Sequence, residues 1–185
     1  MNIAVYLGST YGKDPRIKED TIQFGQWIGK EKHTLVYGGG NNGLMGELAN
    51  ACLDQDGKVF GVIPEFLKER ELAHPGLTEL HCVQTMAQRK TMMIEHADAF
   101  VAMPGGVGTL EEISEIMSMI RLNQTKAPCV FYNLDHFYEP LKAMLKKMLS
   151  EDFVDDQFME AVHFCSTLEE IQEILRTYDC EVQHG

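Results

Sequence analysis

The sequence predicts a doubly wound α/β fold, with one parallel sheet covered by helices on both faces in a single domain over residues 1–185. Three observations predict it. Short apolar runs alternate with segments of helical period, an order that implies parallel strands joined by crossovers. The runs are apolar nearly throughout, as strands buried on both faces are. Three of them stop at glycine-bearing turns that lead directly into helices.

Taken in order, residues 3–7 read as a strand that stops at Gly8-Ser9, and 14–32 as a helix. A strand at 35–37 ends in Gly38-Gly39-Gly40. A helix follows at 43–56, with Leu44, Leu48 and Leu53 near one face. Residues 59–63 form a strand stopped by Pro64. A further strand is expected at 77–83, after the Pro75-Gly76 turn, then a helix at 85–96. A strand at 99–103 ends in Pro104-Gly105-Gly106, and a helix runs over 109–123. A strand at 129–132, a helix at 137–150, a short apolar run at 162–165 and a helix at 167–178 complete the series. The whole reads as a Rossmann-like, three-layer α/β/α domain. The acidic stretch 151–156 reads as a solvated loop.

Composition narrows the function. At 44% hydrophobic residues the 185-residue chain can build a core without staples. A net charge of −12 argues against a general binder of nucleic-acid polymers or membrane surfaces. It leaves room for a small anion, because a local pocket of backbone N–H groups can override the global field. Five scattered cysteines without C-x-x-C spacing read as reduced, mostly buried thiols. The seven histidines form no sequence-local metal set, so neither metal nor cofactor is expected. The first residues read directly as a strand, and no apolar stretch is long enough to span a bilayer, which predicts a cytoplasmic protein.

In open α/β sheets the ligand crevice lies outside the carboxyl ends of the strands. The turns at Gly8-Ser9-Thr10, at 38–46 and at 104–109 can line one such crevice. Glycine lets backbone N–H groups approach a phosphate, and a helix N-terminus adds a favourable dipole. One such turn is ordinarily only a tight connection. Three, with Gly-Gly-x-Gly-Thr directly before a helix, favour phosphate binding by Gly8, Ser9, Gly39, Gly40, Gly105, Gly106, Gly108 and Thr109. The run from Gly38 to Gly43 also fits G-x-G-x-x-G, a dinucleotide fingerprint, but it does not follow the first strand, and a mononucleotide ranks above it. No P-loop pattern occurs.

Glu112, one turn into the next helix, is the candidate carboxylate for stabilising an oxocarbenium-like ribose. Thr109-Leu110-Glu111-Glu112 also spells a T-x-x-E capping box, and the residue pattern alone favours that role. Glu115 can share the same face or be a solvated helix residue. Arg89-Lys90 suits a phosphate or a developing charge, or is an exposed basic pair. Ser9 can donate to phosphate or serve only its turn. Met86 can pack on a base, although a core role is commoner.

Four ordered motifs resemble the LOG ("Lonely Guy") family. They are Val36-Tyr37-Gly38-Gly39-Gly40, Gly43-Leu44-Met45-Gly46, Met86-x-x-Arg89-Lys90, and the stretch from Pro104 to Glu112, which matches the family signature PGGxGTxxE in full. The resemblance implies a Rossmann-like homodimer, with the site near the dimer interface, that hydrolyses AMP or N6-modified AMP to the free base and ribose 5-phosphate. It implies catalytic roles for Arg89 and Glu112 and a phosphate loop at Gly105, Gly106, Gly108 and Thr109, and it denies the decarboxylase label such proteins long carried. Three positions depart from the family pattern: the first loop reads Leu7-Gly8-Ser9-Thr10, Ala87 replaces a histidine, and Met119 replaces a tryptophan. They bear on base preference more than on bond cleavage. A different class, a nucleotide-binding or carrier protein without turnover, stays open; the intact Arg89/Glu112 pair is what such a binder would not need.

Overall fold

A computed structural model of the chain describes residues 1–184; Gly185 lies outside the described residues. Seven strands form one all-parallel sheet: β1 (Asn2–Tyr6), β2 (Thr34–Tyr37), β3 (Lys58–Pro64), β4 (Glu79–Val83), β5 (Ala99–Ala102), β6 (Cys129–Tyr132) and β7 (Val162–Cys165). Their order across the sheet is β4-β3-β2-β1-β5-β6-β7. The chain winds outward from β1 to β4, returns to the other side of β1, and winds outward again. The direction therefore reverses between β1 and β5, and that is where an open sheet leaves a crevice.

The strands sort their side chains by parity. Ile3, Val5 and Leu7 enter one core with α1 (Pro15–Lys30), α2 (Gly43–Leu53) and α7 (Leu168–His184). Ala4 and Tyr6 enter the opposite core with α3 (Met86–Glu95), α4 (Val107–Arg121), α5 (Glu139–Ser150) and α6 (Asp156–Ala161). Both faces are covered, which explains why the runs are apolar without alternation.

Local sequence sets the helix starts. Pro15 follows Asp14, whose carboxylate accepts from the Arg16 N–H. Thr85 and Gln88 make a reciprocal capping box for α3. Asp155, in the acidic stretch read as a loop, caps α6, a helix the periodicity did not predict because it has only six residues. Gly25 and Gly29, four apart on α1, let α2 approach closely: a Cβ on either would lie 2.5 or 2.6 Å from the carbonyl oxygens of Leu48 or Cys52. Cys52, Cys129 and Cys165 are buried, and burial raises all three thiol pKa values, Cys52 to about 11 and Cys165 to about 12. They are inert core thiols. Cys82 and Cys180 are exposed. No described helix is long and apolar enough to cross a membrane.

One boundary matters for the site. The expected start of α4 at Thr109 is two residues late; Gly106 is the N-cap and Val107 the first helical residue. Thr109 is therefore inside the first turn and buried, and the T-x-x-E capping box does not form. Glu112 is released from the role that its local pattern favoured.

Candidate active site

A crevice of about 330 Å³ opens at the reversal point, over the carboxyl ends of β1 and β2 and between α3 and α4. Its lining includes Gly8, Ser9, Gly38, Met86, Arg89, Gly106, Gly108, Thr109 and Glu112, drawn from three turns and from α3 and α4. Main-chain bonds hold the β1 and β5 turns together: Met103 N–H donates to the Tyr6 carbonyl (2.9 Å) and Gly8 N–H to the Pro104 carbonyl (3.3 Å).

The N-terminus of α4 faces this crevice with no side-chain cap and no acidic residue in its first turn. The first N–H groups of a helix have no carbonyl partner within it, so this end attracts an anion. The glycines divide the work. A Cβ on Gly106 or Gly108 would meet nothing within 4 Å. A Cβ on Gly105 would fall 2.1 Å from Thr109 Oγ1, so this glycine lets the turn close against the threonine. Gly105→Ala should cost about 1–3 kcal/mol through this overlap. Gly108→Ala should leave stability unchanged or raise it by up to about 1 kcal/mol, since alanine is the better helix former, while its methyl group in the crevice weakens anion binding. Thermal melts of both variants, with and without inorganic phosphate, check the contrast.

Arg89 is buried at the crevice wall. Its Nε donates to the Val62 carbonyl (3.2 Å), and Nη2 donates to the Gly38 carbonyl (2.8 Å) and to Glu71 Oε2 (3.3 Å). Nη1 meets the Met86 sulfur at 4.0 Å, a weak contact that a ligand oxygen would outcompete. The guanidinium is thus fixed in direction before any ligand arrives. Glu112 stands in the same crevice. Burial pushes its carboxyl up to about 7 from an ordinary 4.5, against the opposing pull of Arg89 and with help from Glu111 and Glu71. A carboxyl poised near neutral pH in the same crevice as a fixed cation is a common arrangement in catalytic sites. Tyr6 lines the crevice too; burial first, then the Glu112 charge, raises its phenol pKa and keeps the hydroxyl protonated.

Other expected residues lie elsewhere. Gly39 and Gly40 are outside the crevice lining, where Gly38 stands instead. They anchor the segment after β3: the Gly39 carbonyl accepts from His74 N–H (3.0 Å), and Gly40 bridges to Ala73. Lys90 and Glu115 are also off the lining. The Lys90 ammonium pairs with Glu111 and, at 2.9 Å, with Glu115, which raises its pKa and ties α3 to α4. Gly105 lines a smaller neighbouring cavity. Glu71 and Tyr6 were not among the residues expected at the site. Glu71 sits in an irregular segment and meets Arg89 only through the fold. Tyr6 carried one signal, a phenol inside an otherwise apolar strand.

Fold and crevice together define a doubly wound α/β protein with an uncapped helix N-terminus, Arg89 and Glu112 gathered at the reversal point of its sheet. The chain belongs to the LOG family. The family model described as "Possible lysine decarboxylase" matches residues 45–175. The cytokinin riboside 5′-monophosphate phosphoribohydrolase of Rhodococcoides fascians is 42% identical over 169 residues, covering 91% of this chain and 85% of that protein. The enzyme of the same name, LOG7, from Arabidopsis thaliana is 36% identical, covering 97% of this chain and 82% of that protein. The decarboxylase wording is a misnomer for the family. The solved structure of the molybdenum cofactor binding protein from Rippkaea orientalis has a TM-score of 0.72 at 22% identity and covers 95% of each chain, a likeness of fold.

Proposed function

We propose that this chain hydrolyses the N-glycosidic bond of AMP or N6-modified AMP, releasing the free base and ribose 5-phosphate. The observation that carries this reading is the opening of the uncapped α4 N-terminus, Arg89 and Glu112 onto one crevice. The 5′-phosphate sits on the main-chain N–H groups at Gly106–Thr109, within reach of Ser9. The ribose then lies toward Glu112. As the C1′–N bond breaks, positive charge builds on the ring, and the Glu112 carboxylate stabilises it and orients the attacking water. The water oxygen bonds to C1′, and its proton leaves with the base. Arg89, fixed on three sides, stabilises the negative charge that the departing base develops. The same reading makes the chain a single-domain, cytoplasmic homodimer acting on a small nucleotide, with Lys90 and Glu115 holding α3 and α4 around the site.

Incubation with AMP and with N6-isopentenyl-AMP, followed by chromatography, tests it. The expected products are base and ribose 5-phosphate in equal amounts. Protein that binds the nucleotide and releases no base would be a carrier instead.

A further inference from the structure

Beside the crevice lies a second cavity of about 270 Å³. It shares Gly8, Ser9 and Gly106 with the crevice. The α4 N-cap residue Gly106 therefore borders both spaces, and of the three shared residues only Ser9 carries a side chain.

Tyr11 and Phe137 line this cavity and are each 46% exposed, with Ile17 and Leu44 also lining it. Both rings are held by neighbours. The Tyr11 hydroxyl donates to Glu47 (3.1 Å), and the Lys18 ammonium lies 5.0 Å from the ring centre. Phe137 packs edge-on against Tyr138 at 4.9 Å. Tyr138 is itself pinned, its hydroxyl donating to the Met103 carbonyl and its N–H to Asn133 Oδ1, both at 2.7 Å. Two preorganised, half-exposed aromatic rings offer stacking to a flat group at little entropic cost.

The charge pattern selects which group. No lysine or arginine lines the cavity. The nearby cations are engaged, Lys18 with Glu47 and Arg16 with Asp14. A terminal phosphate entering here would meet no cationic side chain on the lining, whereas a neutral base would meet two aromatic rings. An esterified phosphate also carries less charge than a terminal one, which suits a chain of net charge −12.

We infer that the protein binds nucleotides whose 5′-phosphate carries a second nucleoside, with that second half seated between Tyr11 and Phe137. The inference rests on the proposed seat of the phosphate at α4.

Calorimetric titration of the intact protein with diadenosine 5′,5′-diphosphate, ADP and AMP tests it. The dinucleotide is expected to bind about tenfold tighter than ADP, the scale of one stacked base. A Tyr11→Ala/Phe137→Ala double variant should lose that advantage while AMP affinity and base release from AMP stay within about twofold of the unaltered protein, as for surface substitutions. A dinucleotide that binds no tighter than ADP, or a double variant that weakens AMP and dinucleotide alike, overturns the inference. Base release from AMP without a dinucleotide advantage sinks the second subsite and spares the hydrolase. A dinucleotide advantage that depends on Tyr11 and Phe137, without base release, does the reverse.

Discussion

Glu112→Gln is expected to lower kcat for base release by about a hundredfold or more, the usual cost of removing one group that meets transition-state charge, with nucleotide affinity nearly unchanged. The reason is that glutamine keeps the shape of the side chain and loses the charge that the oxocarbenium-like ribose needs. Because burial holds the carboxyl near 7, kcat/KM of the unaltered protein should rise with pH through about 7 and then level. The variant's residual activity should lack that limb. A limb falling above pH 7 would instead make Glu112 a proton donor.

The same substitution carries an opposite effect on stability. The folded-state pKa lies above the ordinary 4.5, so the native protein retains a proton that the unfolded chain has lost. Stability from this group is full below 4.5 and is lost as pH rises through about 7. At pH 8 the buried charge is a net cost, and Glu112→Gln should stabilise the protein by about 2 kcal/mol, less than the full shift implies because the carboxyl borders an open crevice. At pH 4 the two proteins should melt alike. A residue retained for structure would show the reverse, and thermal melts at the two pH values decide between them.

Arg89→Lys is expected to fail on both counts. The guanidinium serves Val62, Gly38 and Glu71 at once while buried. A lysine ammonium is a point charge and cannot span those acceptors in the same geometry. The loss should be about 2–3 kcal/mol of stability, part of it from Glu71 left poorly paired. Activity should fall by about a hundredfold, because the edge offered to the leaving base moves. Arg89→Met carries a further signature. Arg89 pulls the Glu112 pKa down, so without the cation the rising limb should move above pH 7. Measuring the kcat/KM profile of both variants checks this; an unmoved limb in Arg89→Met would separate the two residues.

The element order was legible because apolar period and turn chemistry are local. β6 matches its expected span to the residue, and β1, β2, β3 and β5 shift by only a residue at one or both ends. β4 begins two residues later than expected, at Glu79. The parallel sheet followed from strand–helix alternation. The start of α4 was misplaced because Thr109 and Glu112 have capping-box spacing. In the fold, the Thr109 side chain is committed against Gly105, and Gly106 takes the cap position. Gly39 and Gly40 have the spacing of phosphate glycines; in the fold they stand off the crevice lining and hold the segment that carries Glu71.

By itself, then, the sequence determined the doubly wound fold, the glycine turn before α4 and the pair of residues, Arg89 and Glu112, worth testing. All of these rest on short-range patterns or on four motifs in fixed order. Only the tertiary structure decided which of the expected residues share a crevice, that Glu71 fixes Arg89, that Lys90 is spent on Glu111 and Glu115, and that Glu112 titrates near neutral pH. Burial and charge neighbours set those outcomes, and most of those neighbours lie on the segment after β3, on α3 and on α4, which only the folded chain brings together.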